Sequence, residues 1–206
     1  DLDRLIVNRN DDWPDEVFKD VDWVKSKINS GVYRRFCLGL DLDTDYLLFV
    51  DDDTIPGKNY IATVIRQNEE QPGLYSAAGF RLNHEDYNKR FVFGWAAMGN
   101  TRERTVVDWP GHSWFVHKSI LIHSFELPRY PSNLCGEDMR LAFATQQLGL
   151  KSYVSPYSTD QTTWGSLAGT KGQDDNATWR LPSQKRNMHN AMDFYRGHGW
   201  KFLSEL

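Results

Sequence analysis

The segment Tyr46-Leu47-Leu48-Phe49-Val50 is a short apolar run that ends abruptly in Asp51-Asp52-Asp53, with Pro56-Gly57 closing the turn behind it. A run this short, rich in β-formers and bounded by turn residues, reads as a strand buried on both faces. The three carboxylates then stand at the strand's C-terminal end, the edge at which open α/β sheets bind their ligands. Clustered negative charges repel one another unless a cation or a donor-rich ligand joins them. Because side chains alternate along an extended chain, Asp51 and Asp53 share one side. Two hard oxygen ligands on one side suit Mg²⁺ or Mn²⁺, which bind one or two carboxylates together with substrate phosphates. The plainer alternative is an acidic turn that caps the following helix, but the preceding strand is too apolar for a merely solvated face.

The surrounding pattern is α/β. Lys58 to Glu70 carries Ile61, Val64 and Ile65 at helical spacing and stops at Pro72-Gly73. Upstream, Leu5 to Asn10 reads as a strand, Val21 to Asn29 as a helix, and Val32 to Leu40 as a second short helical piece. Leu74 to Leu82, Phe91 to Met98 and Arg104 to Trp109 read as strands, with a turn at Gly99-Asn100 and another at Trp109-Pro110-Gly111-His112. Ser113 to Val116 resumes a strand, and Lys118 to Ser124 is a short helix. Gly136-Glu137-Asp138 opens a helix that ends at Gly149 and hands over to a strand at Lys151 to Val154; two carboxylates at its start suit its dipole. Ser155 to Thr178 has little periodicity, and a loop of that length is a functional lid or a disordered segment. Ser183 to Tyr195 closes the chain as a helix, basic at Lys185 and Arg186.

With 206 residues the chain is long enough for one well-cored domain, and its net charge of -4 gives no basic footprint for nucleic acid or an anionic membrane. A small or sugar-like partner is expected. Eight tryptophans supply flat amphipathic rings that serve cores and sugar clefts alike. No apolar stretch approaches membrane-spanning length. Cys37 and Cys135 are too few for a disulfide framework, which favours a reducing compartment, the cytoplasm. The chain opens on Asp1 rather than Met, so a longer parent protein is left open, and with an N-terminal anchor the secretory-pathway lumen becomes the alternative. The triplet Asn176-Ala177-Thr178 matters only in a secreted chain.

Tyr46 to Asp53 resembles the DXD motif of GT-A fold glycosyltransferases, in which the acids hold a metal-bound nucleotide sugar. The order of a strand ending in polar residues, an arginine segment (Arg34-Arg35-Phe36), Asp51-Asp52-Asp53 and then Cys135-Gly136-Glu137-Asp138 before a helix looks like exostosin-type and family-2-like transferases. The resemblance implies a Rossmann-like GT-A fold, a mixed, mainly parallel sheet flanked by helices with a small antiparallel element. It implies Asp53 as the metal ligand, with the earlier acids Asp51 and Asp52 in contact with the ribose or metal-bound water, beside the reading above of Asp51 and Asp53 as the metal pair. It implies Glu137 and Asp138 beside the anomeric carbon and acceptor. There Asp138 is the general base of an inverting enzyme or, in a retaining one, stabilises the oxocarbenium-like state; plain capping of their helix is the alternative.

The donor implied is a nucleotide diphosphate sugar, by analogy a UDP-sugar, with Mn²⁺ or Mg²⁺, and the acceptor a carbohydrate hydroxyl. Arg35, Arg180 and Lys185, with Arg186, are the cations expected at the diphosphate. His112 is expected to hydrogen-bond a sugar hydroxyl, Trp114 to stack on a pyranose or pack in the core, and Trp164 to ride on a mobile lid. His189 or His198 is a candidate for an extra metal ligand, as some GT-A enzymes place a histidine near the C-terminus. Exostosin-like chains pair the cysteine at the position of Cys135 with one in the closing helix, where this chain has Asn187 and Met188. Two other functions use the same residues: a haloacid-dehalogenase-like phosphatase with Asp51 as nucleophile and Asp53 as acid, and a non-catalytic, metal-dependent carbohydrate-binding domain.

Overall fold

A computed structural model describes residues 6–9, 14–28, 31–82, 87–94, 102–167 and 181–206. Arg180, Trp179, the Asn176 triplet and the Gly99-Asn100 turn lie outside the described residues. The chain begins with β1 (Ile6–Arg9), β2 (Asp22–Lys25), α1 (Arg34–Leu40), β3 (Tyr46–Val50), α2 (Tyr60–Glu70), β4 (Gly73–Ser76), β5 (Ala78–Leu82) and β6 (Arg90–Gly94). It continues through β7 (Thr105–Val107), β8 (Trp109–Gly111), β9 (Ser113–His117), α3 (Lys118–Glu126), α4 (Glu137–Gln147), β10 (Lys151–Val154) and α5 (Gln184–Gly197).

Five strands form the main sheet in the order β3-β9-β4-β10-β7. Its two faces separate cleanly because side chains alternate along each strand. Leu47, Leu74, Trp114 and Val116 pack on one face with Phe36 of α1, Ile120 and Leu121 of α3, and Leu141 and Ala144 of α4. Tyr75, Phe115 and Tyr153 pack on the other with Tyr60 and Val64 of α2. β3 is nevertheless the edge strand of the sheet and is not buried on both faces as expected: Leu47 is buried, Leu48 and Phe49 are half-buried, and Tyr46 and Val50 at its ends are exposed.

The sheet is mixed rather than mainly parallel. β3 runs parallel to β4 through the α2 crossover, but β9 lies between them and is antiparallel to both. Only β4 and β10 pair side by side in parallel, and β10 meets β7 antiparallel. The reason is the excursion after β4: the chain leaves the sheet, builds the antiparallel sheet β6-β5-β8, and returns as β9 from the end where β3 and β4 finish. The segment expected as one strand, Leu74 to Leu82, therefore breaks at Ala77, whose N–H donates to Ser113 Oγ at 2.8 Å.

Two further expectations are corrected. Val21 to Asn29 is not a helix, because Asp22–Lys25 pairs in parallel with Ile6–Arg9; Trp23 and Val24 favour that extended form. Trp109-Pro110-Gly111 is a strand, with Pro110 opposite Gly79 on an edge of the small sheet, where its missing N–H costs no ladder bond. The corner itself falls on His112, whose φ is 66°.

α4 and α5 enclose a second core, in which Met139, Phe143, Met192 and Tyr195 pack against Trp109, Trp200 and Phe202. α4 starts after Gly136, at φ 96°, a left-handed position suited to glycine. Among the described residues no helix is long and apolar enough to cross a membrane.

Candidate functional site

The end of β3 and the start of β9 lie side by side, with Val50 opposite Ser113. The pairing continues one residue further, since the Asp51 N–H donates to the His112 carbonyl at 3.2 Å. The same carbonyl accepts from Thr54 Oγ1 at 2.9 Å, and the Thr54 N–H donates to the Asp51 carbonyl at 3.0 Å. These bonds wrap the acidic turn around the His112 corner.

Asp51, Asp53 and His112 consequently converge, each offering one ligand atom, and all three atoms lie within 4.8 Å of one another. His112 Nδ1 is 3.8 Å from Asp51 Oδ2 and 3.7 Å from Asp53 Oδ1. Asp52, between the two, is exposed and outside this triad. Two carboxylate oxygens and an imidazole nitrogen fit a divalent ion of the Mn²⁺ kind.

Arg35, in the first turn of α1, connects this cluster to the late acidic pair. Its Nη1 donates to Asp51 Oδ1, and its Nη2 stands 3.4 Å from Glu137 Oε1. The guanidinium carbon rests 4.5 Å from the centre of the Trp114 ring. Asp51 therefore faces Arg35 with one oxygen and His112 with the other. Trp114 is 2% exposed and edge-on to Phe36. Its ring is a floor under Arg35 and not a face open to a pyranose.

Glu137 and Asp138 begin α4 and are both buried. Burial pushes the Asp138 carboxyl well above the usual carboxylate range, and the neighbouring Glu137 carboxylate pushes it further. A bond from the Met139 N–H to Asp138 Oδ1, 2.7 Å, and the Arg35 charge act against that rise. Glu137 is also raised by burial, with Arg35 as the chief opposing influence. No family model matches this chain, and no curated protein matches it.

The residues from Asp160 to Leu167 form a wall behind the acidic turn. The Gly57 N–H donates to the Trp164 carbonyl at 2.9 Å, the Asn59 N–H to the Thr162 carbonyl at 2.8 Å, and the Leu167 N–H to the Ile55 carbonyl at 2.7 Å. The Trp164 ring is fastened rather than free: Nε1 donates to the Ser158 carbonyl at 2.8 Å, and the ring packs on Tyr157 at 4.9 Å between centroids.

Other expected residues are not members of the triad. Lys185 is exposed in the first turn of α5. His189 lies 3.4 Å from Asp193 of its own helix, and His198 is hydrogen-bonded at 2.7 Å to the Phe194 carbonyl. Neither belongs to the group that could hold a metal ion among the described residues, in which the one nitrogen atom is that of His112. Cys135 is buried and free, as is Cys37 on the surface. Sequence reasoning had named His112 only as a sugar contact. The available clue was a histidine, the commonest metal ligand, at a strand corner, but which strand end that corner would meet is not written locally.

Proposed function

We propose that the chain is a metal-dependent glycosyltransferase that moves a hexosyl group from a nucleotide diphosphate sugar, UDP by family resemblance, to a hydroxyl of a carbohydrate acceptor. The observation that carries this reading is the double contact of Arg35 with Asp51 and Glu137, which puts the DXD-like acids and the late acidic pair in one place. A nucleotide-sugar enzyme needs both at once: a seat for the diphosphate and a carboxylate at the sugar.

In this reading Asp51, Asp53 and His112 would hold a divalent ion, which would supply positive charge to offset that of the diphosphate leaving group. Arg35 fixes the second oxygen of Asp51 and tempers the negative charge shared with Glu137. Asp138 takes the acceptor proton in an inverting reaction, a task helped by a carboxyl pushed upward toward the working pH. In a retaining reaction it instead faces the oxocarbenium-like centre. Arg180 and Lys185 remain the candidates for the diphosphate oxygens.

Calorimetry with UDP, GDP and their common sugars, with and without Mn²⁺, tests the proposal. Binding of one nucleotide that requires the ion, abolished by Asp53→Asn and kept by Asp138→Asn while turnover is lost, is the expected result. Nucleotide-independent sugar affinity favours the binding-domain alternative, and a phosphoenzyme formed on Asp51 favours the phosphatase.

A further inference from the structure

We infer that Tyr195 is a positioning residue whose hydroxyl pins the start of α1 to the loop ahead of α4, and so fixes Glu137 and Asp138 against Arg35. The inference rests on the function proposed above and adds to it a residue of α5 that acts through others rather than on a substrate. Three observations lead there.

The first is a pair of buried hydroxyls. Tyr33 Oη and Tyr195 Oη stand 3.3 Å apart, and the Tyr130 N–H donates to the Tyr195 oxygen at 3.3 Å. Tyr195 thereby joins three segments: its own helix, Tyr33 at the N-cap of α1, and Tyr130 in the loop between α3 and α4. Both bonds are longer than usual and add little to stability directly. What they supply is register.

The second is closure. Arg35 lies in the first turn of α1, just after Tyr33, and its Nη2 stands 3.4 Å from Glu137 Oε1. On the other side, a β-carbon placed on Gly136 would lie 3.4 Å from the Ala191 β-carbon and 3.5 Å from that of Tyr130. Ala191 precedes Tyr195 by about one turn on the same face of α5. The contacts close a ring through Tyr195, Tyr33, Arg35, Glu137, Gly136 and Tyr130. Opening it at Tyr195 lets the start of α1 shift against the start of α4.

The third is the chemistry of the position. Tyr195 is fully buried and packs with Met139, Phe143, Met188 and Met192. Phenylalanine would fill that core equally well, whereas a buried hydroxyl is costly unless it is paired. The apolar neighbours account for the ring and leave the oxygen to its partners. Burial also raises both phenols above their ordinary range, so Tyr33 and Tyr195 keep their protons and the pair stays neutral.

The test is a double-mutant cycle on the whole chain, read by urea unfolding without metal or nucleotide, using Arg35→Met, Glu137→Gln and the two together. In the wild-type background their coupling is expected to be at least about fivefold in the unfolding equilibrium constant, and in a Tyr195→Phe background to fall below about twofold. Tyr75→Phe is the control: it removes a hydroxyl bonded to the Gln67 and Gln71 carbonyls on the other face of the main sheet, and is expected to lower stability while leaving the coupling whole. Should Tyr195→Phe not fold, Tyr33→Phe opens the same pair from α1 and takes its place. In sugar transfer, Tyr195→Phe is expected to lower kcat about tenfold and to keep KM for the nucleotide sugar within about twofold.

Undiminished coupling or an unchanged kcat in folded Tyr195→Phe, no coupling in wild type, or an equal loss of coupling in Tyr75→Phe overturns the inference while leaving the transferase proposal standing. Coupling lost in Tyr195→Phe alone, in a chain that transfers no sugar, keeps the positioning role and removes the transferase.

Discussion

Arg35 Nη2 lies 3.4 Å from Glu137 Oε1, although 102 positions separate the two residues in the chain. α1 brings the arginine to the rim of β3, and the left-handed turn at Gly136 brings the glutamate to the start of α4. Between them the Trp114 ring supports the guanidinium from below. The acidic turn and the acidic helix start are thereby held as one electrostatic unit, from which the first two expectations below arise.

Arg35→Met removes the cation from between Asp51 and Glu137 and leaves Glu137 uncompensated. Breaking a buried pair from one side costs about 3 to 5 kcal/mol, and the partial exposure of Arg35 and Asp51 lowers the expectation to about 2 kcal/mol. Urea unfolding at neutral pH measures it. Arg35→Lys is expected to recover only part, since a point charge cannot serve both carboxylates as a planar fork does.

Stability is expected to fall as pH rises from the ordinary carboxylate range toward neutrality. Burial raises Glu137 and Asp138 in the folded chain, so there the native state holds protons that the unfolded chain has already released at about pH 4. Their contribution is fullest below that pH and is lost as the raised values are passed. Asp138→Asn keeps the neutral form at every pH, so the variant is expected to be more stable than wild type at neutral pH and less sensitive to pH. Denaturant midpoints across roughly pH 4 to 8 decide it; parallel curves for the two proteins contradict it.

Gly57→Ala tests the wall behind the acidic turn. A β-carbon there would lie 2.4 Å from the Thr162 carbonyl oxygen and 2.7 Å from that of Gln161, both backbone atoms that cannot swing aside. The expected cost is about 2 kcal/mol, or a melting temperature lower by roughly 4 to 8 °C. Faster hydrogen exchange at the Asn59 and Leu167 amides is the local signature.

Asp108 is a staple outside the triad. Its Oδ2 accepts from the Leu82 N–H at 2.6 Å and its Oδ1 from the Leu203 N–H at 2.7 Å, joining β5 to the C-terminal turn. Asp108→Ala strands two amides and is expected to cost about 2 to 3 kcal/mol in thermal or urea unfolding. Asp108→Asn retains a single acceptor oxygen and is expected to lose about half as much.

Much of this fold is legible from short patterns. The strand Tyr46–Val50, the helix behind it and the helix opened by Gly136-Glu137-Asp138 stand where periodicity and turn residues put them. Asp22–Lys25 was misread as helix because four residues carry too little pattern to override a neighbouring strand. The turn expected over Trp109-Pro110-Gly111-His112 narrows to its last residue, because Pro110 and Gly111, usual turn formers, here lie on a sheet edge and His112 makes the bend.

The order of residues settled that two carboxylates open α4, because helix starts are properties of a few adjacent peptide units. Asp51 and Asp53, by contrast, lie beyond the strand's end, in a turn closed by the Thr54 N–H on the Asp51 carbonyl, and not in the extended alternation expected of them. Folding alone decided that β9 inserts beside β3, that His112 comes to stand opposite those aspartates, and that Arg35 reaches Glu137. These neighbours follow from burying Phe36, Trp114 and Leu141 in a common core, a gain shared among distant segments and so written in no single stretch of the chain.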